Sequence, residues 1–298
     1  MCITGANSGI GLACAEILTK LGIRLTLLCR NRERGQRALE RLRSYEQNST
    51  SKLSLVIADL TDLNAIDQAI GNIRELCSVH GPLTTLVHNA GLLPNQLELT
   101  STGHELTVGA HLIGPMRLTA GLKSNLEAGT HILRGHKSAQ GDETARVIWV
   151  SSGGMYTSPL NVDQLFTTSV KNSYDGVQAY AHTKRAQVEL ASIMHKRWQG
   201  VVDIQSMHPG WVDTPGLQTS LPAFWRWTKN RLRTAHQGAD TIAWLCTLPS
   251  CPKSHFWFDR EARSPYLLGN RPKESHRSAL WSRVCEAAQV PSAWINDA

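Results

Sequence analysis

Short apolar runs rich in β-formers alternate along the chain with longer stretches whose apolar residues recur at i, i+3 and i+4. Met1–Thr4, Leu25–Cys29, Leu53–Ala58, Leu83–His88, Arg146–Ser151 and Val201–Met207 read as strands. Gly9–Leu21, Arg32–Arg43, Leu63–Ser78, Gly103–Leu126 and Gln178–Trp198 combine helix-forming residues with one apolar face. Repeated strand–helix–strand units predict an α/β fold: a single Rossmann-type, doubly wound parallel sheet with right-handed crossovers and helices on both faces. Two stretches break the rhythm. Glu127–Thr144, with Gly129, Gly135 and Gly141, predicts a surface insertion between a helix and the next strand. Trp211–His236 mixes Pro215, Pro222, Phe224, Trp225 and Trp227 with Arg226, Lys229, Arg231 and Arg233. It follows a strand end, where an open α/β sheet binds its ligand. No Gly/Ser linker interrupts the pattern, so residues 1–258 are expected to form one domain with a lid at about 211–236, and 259–298 a C-terminal extension.

Composition narrows the class further. With 41% apolar and 18% charged residues in 298, the chain is neither a disordered polypeptide nor a collagen or a coiled coil. Its longest apolar runs fall far short of the roughly 20 residues of a membrane helix, which predicts a soluble or peripheral protein. Seven cysteines without CxxC pairing argue against a disulfide framework, and twelve histidines without metal-ligand spacing argue against a metal site. A reducing compartment and a cytoplasmic location are expected. The first residues hold no basic n-region or apolar h-region, so Asn48-Ser49-Thr50, which fits a glycosylation acceptor, reads as chance. A net charge of +7 admits nucleic acid, an anionic membrane or a polyanionic cofactor. Nucleic acid is the least expected, because no recognition-helix module or aromatic-basic RNA motif is present.

The candidate chemistry begins at Thr4-Gly5-Ala6-Asn7-Ser8-Gly9-Ile10-Gly11, a glycine-rich turn between a strand and a helix. Such a turn lets backbone approach a pyrophosphate, and the N–H groups and dipole at the helix start attract its charge. Tyr180 and Lys184 lie four apart on a predicted helix and so share a face. An ammonium beside a phenol favours phenolate and lowers a pKa that starts near ~10. Tyr180 thereby becomes a candidate proton donor or acceptor near neutrality.

The Gly-x-x-x-Gly-x-Gly spacing resembles the short-chain dehydrogenase/reductase family. The resemblance continues in order through Asp59-Leu60, His88-Asn89-Ala90-Gly91, Ser151-Ser152, Tyr180-Ala181-His182-Thr183-Lys184, Pro209-Gly210 and Thr214. It implies an oxidoreductase passing hydride between a nicotinamide cofactor and the carbonyl or alcohol carbon of a small apolar molecule. Tyr180 would move the proton, Ser152 would orient the oxygen with Ser151 as the competing assignment, and Lys184 would hold the nicotinamide ribose and tune Tyr180. Cofactor contacts are implied for Gly5, Asn7, Ser8, Gly9, Ile10, Gly11, Asp59, Leu60, Asn89, Ala90, Gly91, Pro209, Gly210 and Thr214. NAD-preferring members of the family carry a carboxylate at the end of the second strand. Here that place reads Cys29-Arg30-Asn31-Arg32, and Arg30 and Arg32 suit a 2′-phosphate, so NADP(H) is expected. His111 stands where the family commonly has an asparagine holding a relay water; a water-binding imidazole and a packing histidine are both open readings. The aromatic-basic run at 224–233 has three readings, in order a substrate lid, core packing and a peripheral membrane contact. Dimers or tetramers through the fourth and fifth helices are common in the family. Only three residues precede Thr4, fewer than the family's first strand usually has, which raises a second reading: a truncated or catalytically impaired nucleotide-binding or scaffolding protein.

Overall fold

A computed structural model describes residues 1–46, 52–135, 143–167, 174–250, 255–267, 271–291 and 294. The tripeptide at 48–50 lies outside them. Eight strands form one sheet: β1 (Cys2–Thr4), β2 (Leu25–Cys29), β3 (Leu53–Ile57), β4 (Thr85–His88), β5 (Arg146–Val150), β6 (Asp203–Met207), β7 (Phe256–Phe258) and β8 (Glu261–Ala262). Their order is β3-β2-β1-β4-β5-β6-β7-β8. All neighbours are parallel except β7 and β8. The sheet is the doubly wound one that the alternation predicts, and the direction of winding reverses between β1 and β4. That reversal opens a crevice at the carboxyl ends of the strands. The first strand is only three residues long, yet Cys2 pairs in register with Thr26 on one side and Leu86 on the other.

The helices are α1 (Gly9–Lys20), α2 (Arg32–Arg43), α3 (Leu63–His80), α4 (Leu106–Val108), α5 (Gly114–Gly135), α6 (Val162–Phe166), α7 (Gly176–Arg197), α8 (Pro215–Ser220), α9 (Pro222–Thr228), α10 (Ala235–Thr247) and α11 (Glu274–Ala287). A π-helical turn, Gly109–Ile113, joins α4 to α5. One apolar cluster packs α1, α2 and α10 on one sheet face through residues such as Leu18, Leu42 and Ile242. The other packs α3, α5, α7 and α11 on the opposite face through Ile66, Leu122, Leu190 and Trp281. Burying an apolar stripe of each helix against a strand layer stabilises by about 1.5–3 kcal/mol per large side chain, which is why strands that are apolar on both faces sit between two helix layers.

The surface insertion expected at Glu127–Thr144 is corrected in its first half, because α5 runs on through Gly135. Of the glycines that read as helix breakers, Gly129 serves close packing, Gly135 ends the helix in open space, and Gly141 lies outside the described residues. A Cβ on Gly129 would collide with the carbonyl oxygen of Leu83, and one on Gly121 with Ile70 of α3. Thr130 then ties the helix down by donating to Val201 O at 2.7 Å and accepting from Ala145 N at 2.9 Å. The predicted helix over Gly103–Leu126 in turn begins only at Leu106 and passes through the π turn. The strands β7 and β8 and the helices α6, α8, α9, α10 and α11 go beyond the predicted elements. None of the first four is long enough to impose a readable period. No helix among the described residues is long and apolar enough to cross a membrane.

Candidate active site

The glycine turn is built by backbone conformation. Gly5 and Gly9 adopt φ of 66° and 54°, a region that non-glycine residues seldom enter. Thr4 ends β1 with its hydroxyl between three backbone groups: it donates to Val87 O at 3.2 Å and accepts from Asn89 N and Ala90 N at 3.0 Å. Asn89 donates back through Nδ2 to Thr4 O at 3.0 Å. The run Asn89-Ala90-Gly91 is therefore clamped onto the turn, and Gly11 is the residue that fits beneath it, since a Cβ there would collide with the Asn89 amide. Ser8 caps α1 with extended backbone but without a side-chain hydrogen bond, and the first turn of α1 holds no acidic residue. The N–H groups at the start of α1 thus have no side-chain cap, which fits a site for an anionic group such as a pyrophosphate.

Around this turn the tertiary fold gathers most of the residues singled out by sequence. Thr214 reaches it from the other side: a Cβ on Gly9 would touch the Thr214 methyl at 3.3 Å, while the Thr214 hydroxyl caps α8 through Leu217 N. Gly210, at φ 78°, makes the turn that leads there from Pro209. Arg30, Asn31 and Arg32 are exposed at the end of β2, where Asn31 caps α2 through Arg34 N at 2.9 Å. Asp59 approaches Arg30 at 3.8 Å across the ends of β2 and β3, and its carboxylate also holds Thr61.

Deeper in the crevice, α7 starts at an Asp175 cap that accepts from Val177 N and Gln178 N, which sets Tyr180 and Lys184 on the face turned to β5 and the π turn. The two adjacent serines now separate. Ser151 is buried and donates its only hydroxyl proton to Lys184 O at 2.8 Å. Ser152 is half-buried, caps the short 3-10 turn Gly153–Thr157 through Gly154 N, and lies close enough to the Tyr180 phenol to pull its pKa down.

Lys184 lies deep. Its ammonium donates to Val150 O at 2.9 Å and to Gln187 Oε1 at 3.0 Å, and stands 5.4 Å from the centre of the Tyr180 ring. Burial brings the Lys184 pKa down to about 7. The Tyr180 phenol is pushed up by burial, with only the Ser152 hydroxyl pulling it down. This corrects the expectation that Lys184 lowers Tyr180. The ammonium is directed to a strand carbonyl and a glutamine, not to the phenol oxygen.

His111 lies in the π turn, fully buried, packed edge-on against Tyr180 at 5.5 Å. Its Nε2 accepts from Leu92 N at 3.0 Å, so in the neutral ring the proton is on Nδ1, which donates to Thr183 Oγ1 at 2.8 Å. Burial and the neighbouring Lys184 charge hold its pKa well below the usual histidine value. Both ring nitrogens are occupied by protein groups. Gln187 and Thr183 were not legible as site residues: the available signals were the i+3 spacing of Gln187 from Lys184 and the place of Thr183 inside the tyrosine–lysine run.

Residues 211–236 fold over this crevice. Ser220 donates to Leu93 O at 2.9 Å, joining the segment to the loop after β4, and Trp225 Nε1 donates to Asp213 at 2.8 Å. No residue of α8 or α9 is fully buried, so the core-packing reading of this run fails.

Residues 1–153 match the family described as short chain dehydrogenase. Human dehydrogenase/reductase SDR family member 12 is 35% identical over 271 residues, 89% of this chain and 78% of that protein. The chain belongs to the short-chain dehydrogenase/reductase family. Mouse retinol dehydrogenase 11 is 26% identical over 98% of this chain and 87% of its own length. Two solved structures share the fold. One is 3-ketoacyl-(acyl-carrier-protein) reductase from Brucella melitensis complexed with NADH, with TM-score 0.60, 20% identity and coverage of 83% and 89% of the two chains. The other is a short-chain dehydrogenase from Sphingobium yanoikuyae in complex with NADPH, with TM-score 0.59, 19% identity and 81% of each chain covered. The family is one of oxidoreductases acting on small molecules.

Proposed function

We propose that the protein is an NADP(H)-dependent oxidoreductase for the carbonyl or alcohol carbon of a small apolar molecule. The observation that carries this reading is the meeting of Ser152, Tyr180 and Lys184 beside a helix start whose N–H groups lack a side-chain cap. A nicotinamide dinucleotide bound there would supply or accept the hydride. Gly5, Asn7, Ser8, Gly9, Ile10 and Gly11 would hold its pyrophosphate, with Asp59, Leu60, Asn89, Ala90, Gly91, Pro209, Gly210 and Thr214 around the rest. Arg30 and Arg32 would pair with a 2′-phosphate, since the end of β2 offers two exposed guanidinium groups and no carboxylate of its own. Relatives solved with NADH and with NADPH keep both cofactors in view, and these two arginines favour the second.

Tyr180 keeps its proton at neutral pH because burial raises its pKa, which suits a group that donates a proton to a carbonyl oxygen as the carbon is reduced. The Ser152 hydroxyl, beside the Tyr180 phenol, would orient the same oxygen. Residues 211–236 would close over an apolar substrate with Leu217, Leu221 and Phe224, and the retinol dehydrogenase among the relatives supports an apolar substrate class. The exposed run at 224–233 would meet an anionic membrane surface. The non-catalytic reading finds no support, since β1 is paired on both edges and His111 is fully hydrogen-bonded.

Fluorescence titration with NADPH and NADH, then hydride transfer on a panel of apolar aldehydes, ketones and alcohols, tests the proposal. Tighter binding of NADPH is expected, reversed by Arg30→Asp, together with a 10²-fold or greater loss of turnover in Tyr180→Phe at unchanged cofactor affinity. Preference for NADH in the unaltered protein would overturn the cofactor, and turnover indifferent to Tyr180→Phe would overturn the proton donor.

A further inference from the structure

An ammonium has three N–H groups. Two of those on Lys184 are directed into the protein, to Val150 O at 2.9 Å and Gln187 Oε1 at 3.0 Å. The other end of the same glutamine amide, Nε2, donates to the backbone carbonyl of His111 at 2.9 Å. Gln187 is about 1% exposed, so its side chain forms a buried bridge from Lys184 to the π turn. The His111 ring closes the far side of the circuit, since its two nitrogens are held by Leu92 N and by Thr183 Oγ1, and that hydroxyl donates on to Tyr180 O at 2.9 Å. Every polar atom of the Gln187 side chain and the His111 ring is thereby engaged by protein.

A water molecule between an ammonium and a carbonyl can take up one proton and release another. A carboxamide cannot do so without passing through its imidic acid form, and it therefore transmits a hydrogen bond but not a proton. We propose that Gln187 is a positioning residue which holds the Lys184 ammonium by its side-chain amide and seals the inner side of the site against proton transfer through the π turn. Lys184 is left with one N–H for the open crevice, and protons reach Tyr180 from the crevice side alone. The titratable groups facing the Lys184 ammonium are Tyr180 from its own helix and the neutral His111 from the π turn. β5 contributes only a carbonyl there.

The inference takes its meaning from the oxidoreductase reading, but its test does not need turnover. Protein labelled with 15N-lysine gives a side-chain signal for Lys184, identified by its loss in Lys184→Arg, whose titration and hydrogen exchange are read directly. The Lys184 midpoint, at about 7 in the unaltered protein, is expected to rise by at least one pH unit in Gln187→Glu, where a carboxylate faces the ammonium. It is expected to fall in Gln187→Met, where the acceptor is lost. In Gln187→Ala, which makes room for water, exchange of the Lys184 N–H protons should quicken tenfold or more. Circular dichroism identifies the variants that remain folded, and Gln187→Glu and Gln187→Met move the midpoint in opposite senses, which a packing role alone would not do. An unchanged midpoint in both, or unchanged exchange in Gln187→Ala, overturns the proposal. NADPH titration of the same samples tests the oxidoreductase reading separately, since absent binding would overturn that reading while the Lys184 signal still decides the role of Gln187.

Discussion

Two glycines in comparable helices have opposite roles. Gly129 in α5 packs so closely on the Leu83 carbonyl that a Cβ would collide with it, whereas a Cβ on Gly71 in α3 would meet nothing within 4 Å. Alanine at an exposed helix position gains about 0.5–1 kcal/mol from reduced chain entropy. Overpacking against backbone costs about 1–3 kcal/mol. Gly71→Ala should therefore raise, and Gly129→Ala lower, the denaturant midpoint at unchanged slope. In sequence both are a glycine amid helix formers. The serine pair behaves alike: Ser151 and Ser152 are indistinguishable as letters, and the fold separates them by burying one against Lys184 O and leaving the other half-buried beside Tyr180. Residue type was legible at the site, while the direction of each hydrogen bond was not.

Among the elements, the segment over the crevice carries the clearest consequence. Trp227 in α9 is 88% exposed and Trp211, whose ring packs at a tilt against Phe224 with centres 4.8 Å apart, is 53% exposed. Arg226, Lys229 and Arg231 are exposed around them, while Arg233 is engaged with Asp259. Aromatic side chains flanked by cations suit the interface of an anionic bilayer. Sedimentation with vesicles of mixed neutral and anionic lipid should carry the protein down, less so in Trp227→Ala and at high salt. Equal sedimentation of Trp227→Ala would remove this contact. The segment is visible in the sequence because a proline- and tryptophan-rich run after a strand end breaks both helical and strand periods. Glu127–Thr144 misleads for the converse reason: a helix whose Gly129 is demanded by tertiary packing resembles a loop when read alone.

The molecule as a whole buries uncharged imidazoles. His88 packs on Trp149 with ring centres 4.6 Å apart and tilted planes and is held by Thr119, with its pKa lowered to about 3 by burial; His208, stacked on Phe258, is lowered to about 4. An unfolded histidine titrates near 6.5, so between that value and the folded one the unfolded chain holds the extra proton and stability falls as pH falls. Each such group steepens the loss by up to about 1.4 kcal/mol per pH unit. Guanidinium unfolding at pH 7.5, 6 and 5 should give a falling free energy, with a shallower fall in His88→Gln; a flat profile would contradict the burial of these rings as neutral groups. By itself the sequence determined the alternation of strands and helices, the doubly wound sheet and the identity of the residues at the strand ends, because these follow from local period and from residue chemistry. Only the tertiary structure decided that Lys184 turns inward, that His111 is fully engaged and that Gln187 joins them. Those contacts link residues on β5, the π turn and α7, as far as 76 positions apart for Gln187 and His111, and no local pattern records such a distance.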